Sequence, residues 1–167
     1  MNPYIEKRRH KEKRFYTGFR LYYHFVSATK HRLPLLVGEA RRSVGQTLVE
    51  ECKKRGHHLL EIAVMPDHIH LLLSLKPTDY LPEVIQHLKE TSSRMYNATN
   101  PDTPMDWTDG YGVDTVGKTE LLRIKHYIAN QREELKAKGL DWYLETRHLE
   151  AELGPLPGKK SKKDDLL

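Results

Sequence analysis

The run from His68 to Leu75, His-Ile-His-Leu-Leu-Leu-Ser-Leu, sets the tightest limit on the architecture of this protein. Pro66-Asp67 makes a tight turn in front of it, and the run itself is nearly all apolar over a strand's length. Side chains two apart on a strand point to the same face. Ile69, Leu71, Leu73 and Leu75 therefore form one continuous hydrophobic face, which needs helices packed on it. His68, His70, Leu72 and Ser74 share the other face, which begins with two imidazoles.

The surrounding pattern alternates strands with helices. Residues 19–28 read as an aromatic-rich strand, with Phe19, Leu21, Tyr23 and Phe25 set against Arg20, Tyr22 and His24. A helix follows over 38–55, with Val44, Leu48 and Cys52 on one stripe and Gly56 as its stop. Residues 58–65 form the strand before the Pro66-Asp67 turn. Pro82 opens a second helix whose apolar stripe (Val84, Ile85, Leu88, Met95, Tyr96) runs to about Asn97. After a loop holding Pro101, Pro104 and Trp107, a short strand is predicted at 110–116. A last helix is predicted over 118–138, with Thr119 as a candidate cap, Gly139 as its stop and a weaker helical piece at 141–152. This order predicts an α+β class, a ferredoxin-like sandwich with a mainly antiparallel sheet, helices on one face and a C-terminal helix.

At 167 residues the chain has room for one well-packed domain. We assign that domain to residues 15–153, between a basic arm at 1–14 and a tail at 154–167 that carries Lys159, Lys160, Lys162 and Lys163. Apolar runs such as Leu71 to Leu73 are far too short for a bilayer, so no membrane partner is expected. Cys52 is the single cysteine and has no partner for an intramolecular disulfide. A reducing, cytoplasmic setting is therefore expected. The formal charge of +5 is weak evidence by itself; the clustering of cations at both ends is what suggests neutralised phosphates.

His68 and His70 are the first candidates for chemistry. Same-face neighbours on a strand stand roughly 6–7 Å apart at the backbone, so both ring nitrogens can meet one cation. Taken alone, His-x-His is more often a pair of surface histidines. The further Asp-His of common metallo-hydrolases does not follow, the zincin His-Glu-x-x-His is absent, and a structural zinc site wants cysteines this chain lacks. What remains is two imidazoles with open positions and a third ligand from elsewhere. On the last helix Leu121, Ile124, Ile128 and Leu135 form the buried stripe. Tyr127 and Gln131 project together from its flank, one turn apart.

Several segments together resemble a known family. Val64-Met65-Pro66-Asp67-His68-Ile69-His70-Leu71-Leu72-Leu73 looks like the histidine–hydrophobic–histidine strand of the IS200/IS605-type tyrosine transposases. Asp109 to Gly117 is similar to the short strand before their catalytic helix, and Tyr127-Ile128-Ala129-Asn130-Gln131 to that helix's nucleophile motif. Lys89 to Arg94 resembles their middle helix and Tyr23 to Pro34 their first strand and loop, so the likeness covers about residues 18–137 in order. The basic arm and the segment after Gly139 look more like the REP-associated branch, single-copy relatives that act on repeated palindromes.

The resemblance implies a metal-dependent single-strand DNA endonuclease and strand transferase. Tyr127 is the implied nucleophile, giving a 5′-phosphotyrosine; His68, His70 and Gln131 are the implied ligands of Mg²⁺ or Mn²⁺. Hairpin-containing single-stranded DNA is the implied substrate and a homodimer the implied assembly. For DNA contacts the residues singled out are Arg20, Lys30, Arg32, Lys89, Arg94 and Arg123, with Trp107 as a base-stacking surface. Two other classes stay open: a non-catalytic, domesticated nucleic-acid-binding module, and a hydrolase of small phosphoesters using the same metal.

Overall fold

A computed structural model describes residues 18–146, with side chains to residue 140. The basic arm at 1–14 and the tail at 154–167 lie outside the described residues. Strands β1 (Leu21–Ala28), β2 (His58–Val64), β3 (His68–Leu75) and β4 (Gly112–Val116) form one sheet, with helices α1 (Gly38–Arg55), α2 (Leu81–Thr99) and α3 (Leu121–Thr146). The strand order is β2-β3-β1-β4, antiparallel throughout. β1-α1-β2 is thus a crossover unit split by β3, the ferredoxin-like arrangement that the order of elements predicts.

The period-two pattern of β3 decides the layering. Ile69, Leu71, Leu73 and Leu75 meet Val44, Leu48 and Cys52 of α1 and Val84, Ile85, Leu88 and Tyr96 of α2 in the larger core. Leu72, on the opposite face, joins Ala63, Met65, Val116, Ile128 and Leu135 in a second, smaller core. α1 and α2 therefore cover one face, and α3 covers the face that carries the histidines. α1 ends where Gly56 takes φ 72°, and its N–H returns to the carbonyls of Cys52 and Lys53.

Two features seat α3. Register slips between Leu59 and Glu61 on the edge strand β2, so a bulge brings Leu60 and Glu61 to the α3 side together. Glu61 then holds Arg132, whose Nη1 lies 2.9 Å from Glu61 Oε1 and donates to the Ile62 carbonyl at 3.1 Å. The predicted boundaries of α3 need correcting. The helix starts at Leu121, because the turn before it closes through the Glu120 N–H on the Gly117 carbonyl, and Thr119 sits within that turn. Gly139 interrupts α3 at φ 82° and ψ 176°, and helix resumes to Thr146. Among the described residues no helix is long and apolar enough to cross a membrane.

Candidate active site

The site is built on the Pro66-Asp67 turn. Met65 N–H bonds to the His68 carbonyl at 2.8 Å, closing the β2–β3 hairpin. The Asp67 carbonyl accepts both the Thr29 N–H (2.8 Å) and the Thr29 hydroxyl (3.1 Å), tying the turn to the end of β1. His68 and His70 follow on β3, flanked by β1 through Ala28 and Val26 and roofed by α3. Both are buried, at 0% and 1% exposure, so they are not the surface pair that an isolated His-x-His usually makes.

Every ring nitrogen of the pair has a neighbour. His68 Nδ1 donates to Asp67 Oδ1 at 2.8 Å, so the His68 Nε2 lone pair faces His70. The two Nε2 atoms stand 3.0 Å apart. His70 Nδ1 lies 3.0 Å from Nε2 of His24, a β1 residue on the same face, and the two rings are stacked with centroids 5.2 Å apart. Burial, followed by the neighbouring His68, His24 and Arg32, pushes His70 well below the usual imidazole range. Burial also lowers His24, against the pull of Asp114 across the sheet. Neutral imidazoles are the form that binds metal.

Two nitrogen ligands in cis positions around one cation, each about 2.1 Å from it, stand about 3.0 Å apart. The His68–His70 spacing fits that arrangement. Among the described residues no group of three or more His, Cys, Asp or Glu side chains is disposed to hold a metal ion, so the pair would need a ligand of another type. Gln131 is such a residue. It is half-buried one turn beyond Tyr127, on the same side of α3.

Tyr127 is brought to the histidines of its own chain. Its ring meets His70 edge-on, with centroids 5.8 Å apart, and His24 at 6.2 Å. The burial of Ile128 and Leu135 in the second core holds that flank of α3 over the sheet.

Arg32 also reaches the site. Its Nε is 3.5 Å from Asp67 Oδ2, while Nη1 and Nη2 are shielded from solvent without a hydrogen-bond partner. It stands in a short 3₁₀ turn where His31 and Arg32 take φ of 60° and 56°, a left-handed conformation that side chains rarely adopt.

The other proposed DNA contacts do not form one patch. Lys30 lies near Arg32 and pairs with Asp106 at 3.6 Å. Arg123 is exposed on α3 and pairs with Glu120 at 2.8 Å. Arg20 is exposed before the opposite end of β1, and Arg94 is exposed on α2, across the sheet from the histidines. One expectation is corrected. Trp107 is only 3% exposed and its Nε1 donates to Ser92 Oγ at 3.1 Å, so it packs in the larger core and offers no face to a base. Lys89 directs its ammonium to the carbonyls of Thr108 (2.5 Å) and Gly110 (3.3 Å) in the loop before β4.

Sequence reasoning passed over Asp67 as a turn former and His24 as one polar residue of an alternating strand. The Asp-His adjacency was a usable signal for the first. Only the pairing of β1 with β3 identifies the second.

Comparison with known proteins finds relatives of this chain. A family model described as transposase IS200-like matches residues 17–131. The transposase of insertion sequence IS200 from Salmonella typhimurium is 36% identical over 127 residues, covering 72% of this chain and 83% of that one. The ISDra2 transposase TnpA of Deinococcus radiodurans is 30% identical over 121 residues, covering 69% and 86%. A crystal structure of a candidate transposase from Deinococcus radiodurans superposes with a TM-score of 0.58 at 32% identity, over 73% of this chain and 98% of that one. A REP-associated tyrosine transposase bound to a REP hairpin shares the fold, with a TM-score of 0.53 at 14% identity over 78% and 76%.

Proposed function

The chain belongs to the IS200-like transposase family, and from that membership we propose that it cuts and rejoins single-stranded DNA through Tyr127 at a divalent-metal site. The observation that carries this reading is the approach of the Tyr127 ring to His70, at 5.8 Å between centroids, over a pair of buried imidazoles. In the proposed step the phenolic oxygen forms a bond to the scissile phosphorus and the P–O3′ bond breaks. The 5′ end stays on Tyr127 and the 3′ oxygen leaves, taking a proton to become a hydroxyl. Attack by a 3′-hydroxyl reverses the step, and the energy of the phosphodiester is kept in the covalent link.

A phenol with an ordinary pKa near 10 needs help to attack at neutral pH. A Mg²⁺ or Mn²⁺ ion held by His68, His70 and Gln131 would withdraw charge from the scissile phosphate and align it. Two nitrogen ligands favour Mn²⁺ over Mg²⁺. Arg32 is the residue best suited to a phosphate oxygen, since a guanidinium presents paired donors and two of its nitrogens are unused. The hairpin bound by the REP-associated neighbour supports hairpin-bearing DNA as the substrate. A homodimer is the working assembly in this reading.

The test is a labelled, hairpin-bearing single-stranded oligonucleotide incubated with the protein and Mn²⁺, followed by denaturing electrophoresis. An SDS-stable protein–DNA adduct that Tyr127→Phe abolishes is the expected result. Cleavage that survives Tyr127→Phe would assign the reaction to an activated water. Binding without cleavage or adduct would make the chain a non-catalytic module.

A further inference from the structure

We propose that His24 is a positioning residue of the metal site, accepting the His70 Nδ1–H and thereby aiming the His70 Nε2 lone pair at the cation. The inference rests on the metal-site reading above, and it concerns a residue outside the His68, His70 and Gln131 set.

Asp67, His68, His70 and His24 form a continuous chain of polar contacts. Asp67 Oδ1, 2.8 Å from His68 Nδ1, keeps the proton on that nitrogen and leaves Nε2 of His68 as an acceptor. The 3.0 Å contact between the two Nε2 atoms then requires His70 to carry its proton on Nε2 when no cation is present. His70 Nδ1 is in that state an acceptor, and the proton in its 3.0 Å contact with His24 comes from His24 Nε2.

A cation held by His68 and His70 would take the place of the proton between the two Nε2 atoms. A neutral His70 would then hold its proton on Nδ1, 3.0 Å from His24 Nε2, which would accept it. His24 in turn moves its proton to Nδ1. Asp114, paired with His24 across β1 and β4, is the nearby carboxylate whose charge favours a proton on that ring. Without His24 the Nδ1–H of this 1%-exposed imidazole would lose its acceptor, and burying an unpaired donor disfavours that tautomer. The arrangement does for His70 what Asp67 does for His68, with a neutral imidazole in place of the carboxylate.

The test compares the full-length protein with His24→Gln and His24→Leu, using Mn²⁺ alone as the probe and free Mn²⁺ followed by electron paramagnetic resonance. Glutamine can accept through its amide oxygen and leucine cannot. His24→Leu is expected to weaken Mn²⁺ binding about 10- to 100-fold, as loss of an outer-shell partner does, and His24→Gln to stay within about threefold of the parent. Thermal melting verifies that both variants fold. A parallel measurement needs no variant: long-range ¹H–¹⁵N spectra of the parent with Mg²⁺ should find the His70 proton on Nδ1 and none on His24 Nε2. Equal Mn²⁺ affinity in His24→Leu, or a proton on His24 Nε2 in the Mg²⁺ form, overturns the proposal and leaves the metal-site reading standing. A parent protein that binds no Mn²⁺ overturns both.

Discussion

Asp67 Oδ1 sits 2.8 Å from His68 Nδ1, with both residues fully buried, while the other oxygen of the same carboxylate faces Arg32 Nε at 3.5 Å. One turn residue thereby fixes the tautomer of a histidine and the position of a cation. Asp67→Ala is expected to weaken Mn²⁺ binding by roughly 10- to 100-fold. It should also destabilise the protein by about 1–3 kcal/mol, because buried donors on His68 and Arg32 lose their acceptor. Isothermal titration and chemical denaturation read the two effects separately, and loss of stability with unchanged Mn²⁺ affinity would remove Asp67 from the site.

Arg32 and Arg94 make a controlled pair, since the first has unused, shielded nitrogens beside His70 and the second is exposed on α2, across the sheet. Arg32→Gln should lower affinity for single-stranded DNA and reduce the salt slope of binding by about one unit, as loss of one phosphate contact does. Arg94→Gln should leave both within error. Fluorescence anisotropy across a salt series measures this, and equal effects from the two changes would dissociate DNA binding from the histidine face.

Trp107 separates a structural role from a binding one. Trp107→Phe should cost about 1 kcal/mol through the lost Nε1–H to Ser92 Oγ bond, and Trp107→Ala about 3–5 kcal/mol through the cavity it leaves. DNA affinity of the folded Trp107→Phe protein is expected to match the parent. A drop in affinity at unchanged stability would restore the stacking role rejected above.

The α1–α2 interface carries an acid-sensitive contact. Hydrogen bonds from Lys54 and His87, at 2.7 and 2.9 Å, hold the Glu51 carboxyl down to about 2. A carboxyl depressed in the folded state binds its proton more readily in the unfolded chain. The stability it contributes is therefore present above the ordinary glutamate pKa near 4.3 and is lost as pH falls toward 2. Glu51→Gln should flatten the fall in melting temperature across that window and change little near neutrality. An identical acid limb in both proteins would contradict it.

Much of this molecule was legible along the chain. The period of two at His68–Leu75 sorted histidines from leucines onto opposite faces, and both cores follow that sorting. The stripe of Ile124, Ile128 and Leu135 likewise left Tyr127 and Gln131 on the flank of α3, because 100° per residue is a local property of a helix. The start of α3 was less legible, since the choice between a Thr119 cap and a turn closed by Glu120 depends on how β4 delivers the chain.

Periodicity by itself determined which side chains share a face, and it does so because backbone geometry repeats every few residues whatever lies beyond. It carried no information on what those faces meet. His24 and His70 are 46 positions apart and touch only because β1 pairs with β3 in the register Val26↔His70. Trp107 looked like a loop aromatic until the bridge between Thr29 and Trp107 drew it against the sheet. The β2 bulge, the left-handed turn at Arg32 and the burial of the histidines are of the same kind. Register, bulges and burial are chosen by long-range packing that fills two cores at once, so the tertiary structure alone decided which polar groups were brought together.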